Sequence, residues 1–427
     1  MTTQTIYKHY SKAYKVTTDS RDVAPDAVFF ALKGERFDGN DFALEVAEKG
    51  IASLVVADRP TLPDHPRIVK VNDALLALQE LAKYHRLQMK QLTVLSITGT
   101  NGKTTTKELV SAVLSQQFDI IYTQGNLNNH IGVPLTLLRI KPETQFAVVE
   151  MGANHPGEIK TLVNIACPDY GIITNIGKAH LEGFGSFEGV IKTKNELYDY
   201  LSAHDKTAFV NGDNELLMGL VKGFKHLTYG TGTNMNCQVT PGTCNPYLSV
   251  SWKGIPVLTH LVGSYNFENV AASIAVGNYF GVEDNAIRHA LESYQPTNSR
   301  SQVIDGKNHI IMDAYNANPT SMSASVSNFH NICGDNAVLI LGDMRELGDA
   351  SEKEHRAILD LIAQLGFHQV FLVGPCFSQY NNNSEYLSFA TVEDLVAYLE
   401  QHPISEKTIL VKGSRGIRLE KALPLIQ

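Results

Sequence analysis

The segment LTVLSITGTNGKTT at residues 92–105 puts a β-branched, apolar run directly before a loop containing Gly99, Gly102 and Lys103. Helical spacing follows at once over residues 105–116. A strand that feeds a helix through glycines aims backbone N–H groups and the helix N-terminus at one point, which is how a chain cradles phosphate. Lys103 is placed to reach β- and γ-phosphate oxygens, and the Thr104 hydroxyl to reach Mg²⁺. Ile97 occupies the position where the general phosphate-loop pattern has its first glycine, and Gly99 comes two residues later. The expected ligand is ATP, held by Gly99, Thr100, Asn101, Gly102, Lys103, Thr104 and Thr105.

A strand of this kind belongs in a mostly parallel sheet, and the rest of the chain agrees. At roughly 150 residues per domain, 427 residues suggest about three. Residues 1–90 read as a small α/β domain. It has apolar runs at 27–32 and 53–57, a helix over 42–49 ending at Gly50, and a helix over 74–89 opened by Asp73. Residues 91–296 form the central phosphate-loop domain, with further strands at 146–150, 170–174 and 208–210. A turn-rich β stretch follows over 231–261, with reversals expected at Pro241-Gly242 and Lys253-Gly254, and then a helix over 266–280. Residues 295–299 read as a linker. Residues 297–427 alternate strands at 309–312, 337–341, 370–373 and 408–411 with helical stretches, the pattern of a Rossmann-like doubly wound domain.

Composition excludes several classes. With 36 Lys+Arg against 44 Asp+Glu the formal net charge is −8, which argues against a nucleic-acid partner. No apolar run approaches the roughly 20 residues of a membrane span. The polar N-terminus has no secretory stretch. Cys167, Cys237, Cys244, Cys333 and Cys376 show no metal-type spacing. A cytoplasmic protein is expected.

The chemistry of the phosphate loop calls for a carboxylate at the end of a neighbouring strand. Glu150, after the apolar run 146–149, is that candidate. His180 stands in a glycine-punctuated loop, although Mg²⁺ prefers oxygen over imidazole. Lys192 and Lys194 follow on a helix. They lie two residues apart, so at most one faces a site.

The motifs at 99–105, 150–152, 175–181 and 193–196 together resemble those of the Mur ligases, ATP-dependent amide ligases that build the peptide of peptidoglycan precursors. Residues 18–21, 29–39, 126–138, 180–186 and 341–348 extend the resemblance across all three domains. They resemble the branch whose acid is UDP-N-acetylmuramoyl-tripeptide and whose amine is D-alanyl-D-alanine. The resemblance implies two Mg²⁺ ions, held by Thr104, Glu150, His180 and Lys194, the last as a carbamate formed with CO₂. It makes Lys103, Glu150, His180 and Lys194 the catalytic set. It adds Asn269, Arg300 and Asp313 to the ATP contacts, and implies substrate contacts at Ser20, Arg21, Lys33, Asn128 and Asn129. The implied organisation is a UDP-substrate domain, an ATPase domain, and a C-terminal domain that binds the dipeptide and closes on ATP, in a monomer. The central motifs alone also suit a sister ligase adding a single amino acid, folylpolyglutamate synthase, or a nucleotide-binding module without ligase chemistry.

Overall fold

The computed structural model describes residues 2–296, 300–333 and 336–427. Of the expected linker, residues 297–299 lie outside the described residues.

Three sheets are built in succession along the chain. The first has four parallel strands in the order Val16–Thr17, Val28–Phe30, Leu54–Ala57 and Ile68–Lys70. The helices Ala43–Lys49 and Ala74–Gln88 belong to this unit. Gly50 ends the first of them in the left-handed region at φ 70°. The Asp73 side chain caps the second by accepting the Leu76 N–H at 2.8 Å.

The central sheet has nine strands. Thr93–Thr98 lies between Phe146–Glu150 and Tyr170–Ile173, parallel to both. The chain leaves this strand toward one side of the sheet and later returns to the other. Its C-terminal end is therefore a switch point, where an α/β sheet opens a crevice for ligand. Strand alternation explains the two-sided core. Val94, Ala147 and Val149 pack on one face, while Leu95, Ile97 and Val148 pack on the other.

Beyond Thr207–Asn211 and His226–Gly230, the sheet ends in the antiparallel strands Cys237–Cys244, Tyr247–Trp252 and Ile255–Val262. Lys253 and Gly254 make the reversal expected of them, both at positive φ. Pro241-Gly242 does not reverse the chain. It lies inside Cys237–Cys244, where the register shifts between Pro241 and Cys244. The turn comes at Asn245-Pro246. Pro and Gly mark a bulge as readily as a turn, and the sequence does not distinguish the two.

The third sheet runs Gln302–Asp305, His309–Asp313, Thr408–Lys412, Ala337–Gly342, Val370–Val373 and Leu387–Phe389. Only its first pair is antiparallel. The two outermost strands were not legible in the sequence. Gln302–Asp305 is half-exposed, and Leu387–Phe389 is three residues with two exposed.

Val28, Phe30, Leu54 and Val56 on one face of the first sheet share a single apolar cluster with Val94, Ala147 and Val149 of the central sheet. The N-terminal helix Thr2–Tyr10 joins the same cluster through Ile6 and Tyr10, and the Tyr10 hydroxyl donates to the Leu138 carbonyl at 3.0 Å. Its other positions are mostly polar, so no helical stripe announced it. The C-terminal sheet has its own two clusters, to which, among the described residues, the central domain adds only Val262.

Candidate active site

The helix after the glycine loop, Lys103–Leu114, begins at Lys103 because Gly102 caps it at φ 76°. The loop is held from the neighbouring strand end. Thr100 N–H donates to the Asn175 carbonyl at 2.9 Å, and Asn101 N–H to Asn175 Oδ1 at 2.9 Å. The Thr174 hydroxyl donates to the Asn101 carbonyl at 2.6 Å. Lys103 Nζ folds over the loop and donates to the Gly99 and Thr100 carbonyls, each at 2.9 Å. Burial pushes its ammonium below the ordinary lysine range; Glu150 opposes that fall and Arg300 reinforces it.

Glu150 ends a fully buried strand and is 1% exposed. Its Oε1 accepts from Asn128 Nδ2 at 2.8 Å, while Oε2 is buried with no hydrogen-bond partner among the described residues. A buried carboxylate oxygen in that state is costly unless a cation or donor meets it. His180 sits at φ 51° in the loop before the short helix Leu181–Phe184, and its Nδ1 lies 2.5 Å from Glu346 Oε2 of the third domain. That contact, with Arg345 nearby, holds the Glu346 carboxyl below its ordinary range, the His180 hydrogen bond being the leading cause.

The helix Phe187–Ala203 resolves the two lysines. Lys192 is exposed and Lys194 is buried. Lys194 Nζ lies 5.5 Å above the Phe184 ring centre. Burial, reinforced by the charge of Lys103, lowers its amine to about 7 against the opposing pull of Glu158 and Glu196.

The glycine loop, Glu150, His180 and Glu346 face one cleft of about 1230 Å³. Its walls include Thr100 to Thr105, Asn128, Asn129, Glu150, His180, Asn269, Arg300 and Asp313. Gly99 and Lys194 lie outside the lining. Asn129 Oδ1 accepts the Ile131 and Gly132 N–H groups at 3.1 and 2.9 Å, opening the Gly132–Leu137 helix. Asn269 Oδ1 accepts from Thr106 Oγ1 at 2.9 Å against the helix that carries the loop. The Arg300 guanidinium stacks 3.6 Å from the Tyr315 ring centre. Asp313 Oδ2 accepts from Lys412 Nζ at 2.6 Å and from Ser325 Oγ at 3.0 Å, inside the third domain.

Ser20, Arg21 and Lys33 do not line this cleft. Arg21 is exposed and pairs with Asp19 at 2.6 Å. Lys33 is exposed beside a tight turn in which Gly34 N–H donates to the Phe37 carbonyl at 2.7 Å. Sequence reasoning gave no role to Arg345, Glu346 and Arg415, which also line the cleft. The available signal was position, since both loops follow apolar strands of a parallel sheet.

A phosphate loop, a buried half-satisfied carboxylate and a third domain facing both across one cleft define a three-domain α/β nucleotide-binding protein built to act on phosphate. The chain belongs to the Mur ligase family. Residues 12–91 match the Mur ligase family catalytic domain, 97–277 the Mur ligase middle domain and 299–415 the Mur ligase glutamate ligase domain. The UDP-N-acetylmuramoyl-tripeptide–D-alanyl-D-alanine ligase of Bacillus subtilis is 36% identical, over 95% of this chain and 91% of its own length. The ligase of the same name from Escherichia coli is 37% identical, over 96% and 93%. The structure of MurF ligase from Thermotoga maritima in complex with ADP superposes with a TM-score of 0.85, at 27% identity and covering 96% of each chain.

Proposed function

We propose that this chain is an ADP-forming ligase of peptidoglycan precursor synthesis, joining the carboxyl end of UDP-N-acetylmuramoyl-tripeptide to the amino group of D-alanyl-D-alanine at the expense of ATP. What carries the reading is that relatives bearing that name match all three domains over nearly their whole length. The cleft suits the chemistry. A free carboxylate is a poor acyl donor. Attack of its oxygen on the γ-phosphorus, with cleavage of the bond to ADP, makes an acyl phosphate. The dipeptide amine then attacks the acyl carbon, phosphate leaves with the C–O bond, and the amine gives up a proton. Lys103 and Arg300 balance the phosphate charge, and the glycine loop orients the nucleotide.

The orphaned Glu150 Oε2 fits a divalent cation, and Thr104, which lines the same cleft, offers a hydroxyl. Glu150 and Thr104 would hold one Mg²⁺; His180 and Lys194, the latter as a carbamate, would hold a second. When bound, magnesium offsets charge on the transferring phosphoryl group. Only a neutral amine takes up CO₂, and a Lys194 amine near 7 is substantially neutral at physiological pH. Asn269 and Asp313 complete the nucleotide contacts, and Asn128 and Asn129 face the peptide path. Ser20, Arg21 and Lys33 serve the UDP end within a UDP-binding domain at residues 1–90. The ATPase domain spans 91–296, and the dipeptide domain spans 297–427. The enzyme acts as a cytoplasmic monomer, where UDP-linked precursors and ATP are at hand, with no nucleic-acid partner.

An acceptor-dependent phosphate-release assay tests the reading. Given ATP, Mg²⁺ and the UDP-tripeptide with either diaminopimelate or lysine third, D-alanyl-D-alanine should drive phosphate release. D-Alanine, other single amino acids and glutamate should not. Release driven better by a single amino acid would overturn it.

A further inference from the structure

Behind the cleft, the third domain gathers an aspartate, a histidine and a cysteine that the ligation does not use. Ala337–Gly342 and Val370–Val373 are neighbouring parallel strands, in register at Gly342 and Val373, so the chain leaves both at the same edge. Asp343 follows the first strand, and Cys376, on the short helix Pro375–Tyr380, follows the second. The helix Ser351–Gln364 brings in His355. His355 Nε2, Cys376 Sγ and an Asp343 carboxylate oxygen all lie within 4.8 Å of one another. Asp343 and His355 are buried and Cys376 is half-buried, so the way in from solvent is at the sulfur. Two of these donors are already held as metal ligands usually are. His355 Nδ1 donates to the Ser351 carbonyl at 2.8 Å, which fixes the tautomer that keeps a lone pair on Nε2. Asp343 Oδ1 and Oδ2 accept the Phe377 and Cys376 N–H groups at 2.8 and 2.9 Å, which orients the carboxylate and leaves each oxygen a second lone pair. The Nε2–Oδ1 separation of 3.9 Å has to close to about 3.3 Å for two ligands of a tetrahedral zinc, a side-chain adjustment. The competitor is the Met344 N–H, which His355 Nε2 accepts at 3.1 Å. A neutral hydrogen bond worth about 1 kcal/mol yields to a metal–imidazole bond.

We propose that Asp343, His355 and Cys376 form an inhibitory site for zinc or a metal of like softness, with water in the fourth position. Sulfur and imidazole select against Mg²⁺, which takes oxygen ligands. As the metal–sulfur bond forms, the thiol proton passes to solvent and no electron is transferred. Capture of Nε2 takes the acceptor away from the Met344 N–H. That N–H is a rear tie of the loop that brings Arg345 and Glu346 to the cleft, so metal binding loosens the cleft wall from behind. The site itself stands apart from the ligase reading; its inhibitory effect rests on it.

Cobalt(II), which takes zinc sites and is coloured, is titrated into the reduced full-length protein without nucleotide. A thiolate-to-cobalt charge-transfer band in the near ultraviolet should grow to one equivalent, and added zinc should bleach it. Cys376→Ser should lose the band while keeping the circular dichroism of wild type. His355→Gln should weaken cobalt binding about tenfold or more. These optical readings need no ligase activity. In ligation with Mg²⁺ in excess, zinc should inhibit wild type at a concentration about tenfold or more below that needed for Cys376→Ser. Absence of the band in wild type, or an equal band in Cys376→Ser, overturns the site. Equal zinc sensitivity of the two proteins overturns the inhibitory role.

Discussion

At Gly102 the backbone takes φ 76°, and a Cβ there would fall 2.4 Å from Asn269 Oδ1. An alanine pays about 1–2 kcal/mol for the left-handed conformation alone, and Asn269 cannot retreat without leaving Thr106. Gly102→Ala should weaken ADP binding at least about tenfold by titration calorimetry. Lys194 makes a different kind of claim. Lys194→Ala should lower ligation by about a hundredfold, the scale of losing one electrostatic stabiliser, and a short-chain carboxylic acid should restore part of it. Full activity in the variant would remove the carbamate from the proposal. Because the amine titrates near 7, its neutral fraction grows as pH rises from 6 to 8, and carbamate seen by NMR with isotope-labelled bicarbonate should grow with it. At this scale the sequence was informative where chemistry is local. Gly99, Gly102 and Lys103, set between an apolar strand and a helical stretch, announce a phosphate loop even with Ile97 at the usual first glycine position, and Glu150 follows a buried strand. Spacing could say only that at most one of Lys192 and Lys194 faces a site; the resemblance chose Lys194, and packing buries it.

Among the elements, the loop that carries Arg345 and Glu346 is pinned from behind by His355, at the inner face of the helix Ser351–Gln364. His355 Nε2 accepts the Met344 N–H at 3.1 Å and Nδ1 donates to the Ser351 carbonyl at 2.8 Å, which requires the neutral ring. Burial holds its pKa below the histidine value, with the Ser351 carbonyl and Asp343 opposing. Below pH about 6.5 the unfolded chain binds a proton that the native ring refuses, so stability is lost as pH falls, by up to about 1.4 kcal/mol per unit until the native ring also titrates. Buried His85 shifts in the same direction. Urea unfolding between pH 7.5 and 5.5 should therefore show a shallower loss in His355→Gln than in wild type, though not a flat one. Such a device is invisible in sequence because His355 and Met344 meet only after strand and helix have packed. The long apolar strands were legible for the opposite reason. Their burial on both faces is written in consecutive residues, whereas Gln302–Asp305 at a sheet edge has no such run.

For the whole molecule, the third domain rests on the phosphate loop and on the loop after Tyr170–Ile173 through polar contacts. Asn318 Nδ2 donates to Asn101 Oδ1 at 2.7 Å, and Lys178 N–H donates to Thr320 Oγ1 at 3.2 Å. Lys178 Nζ pairs with Glu354 at 2.7 Å. Lys178→Glu sets two carboxylates against each other there. Scattering in the presence of an ATP analogue and both substrates should give a larger radius of gyration than wild type, with a higher KM for ATP. Equal radii would show that this contact does not hold the domains together. Strand order, which brings Arg345 and Arg415 to the same rim, is a property of this scale and no local pattern encodes it.

The unequal sharing of apolar clusters sets where the polypeptide tolerates a break. Cleavage between the first two sheets would split one core and strand Val28, Phe30, Leu54 and Val56 in water. A break between residues 296 and 300 leaves each core whole except for Val262. Two separately expressed pieces, 1–296 and 300–427, should accordingly complement one another in trans. The rate would then climb with the concentration of the smaller piece and saturate as the heterodimer fills, turning domain closure into a measurable dissociation constant.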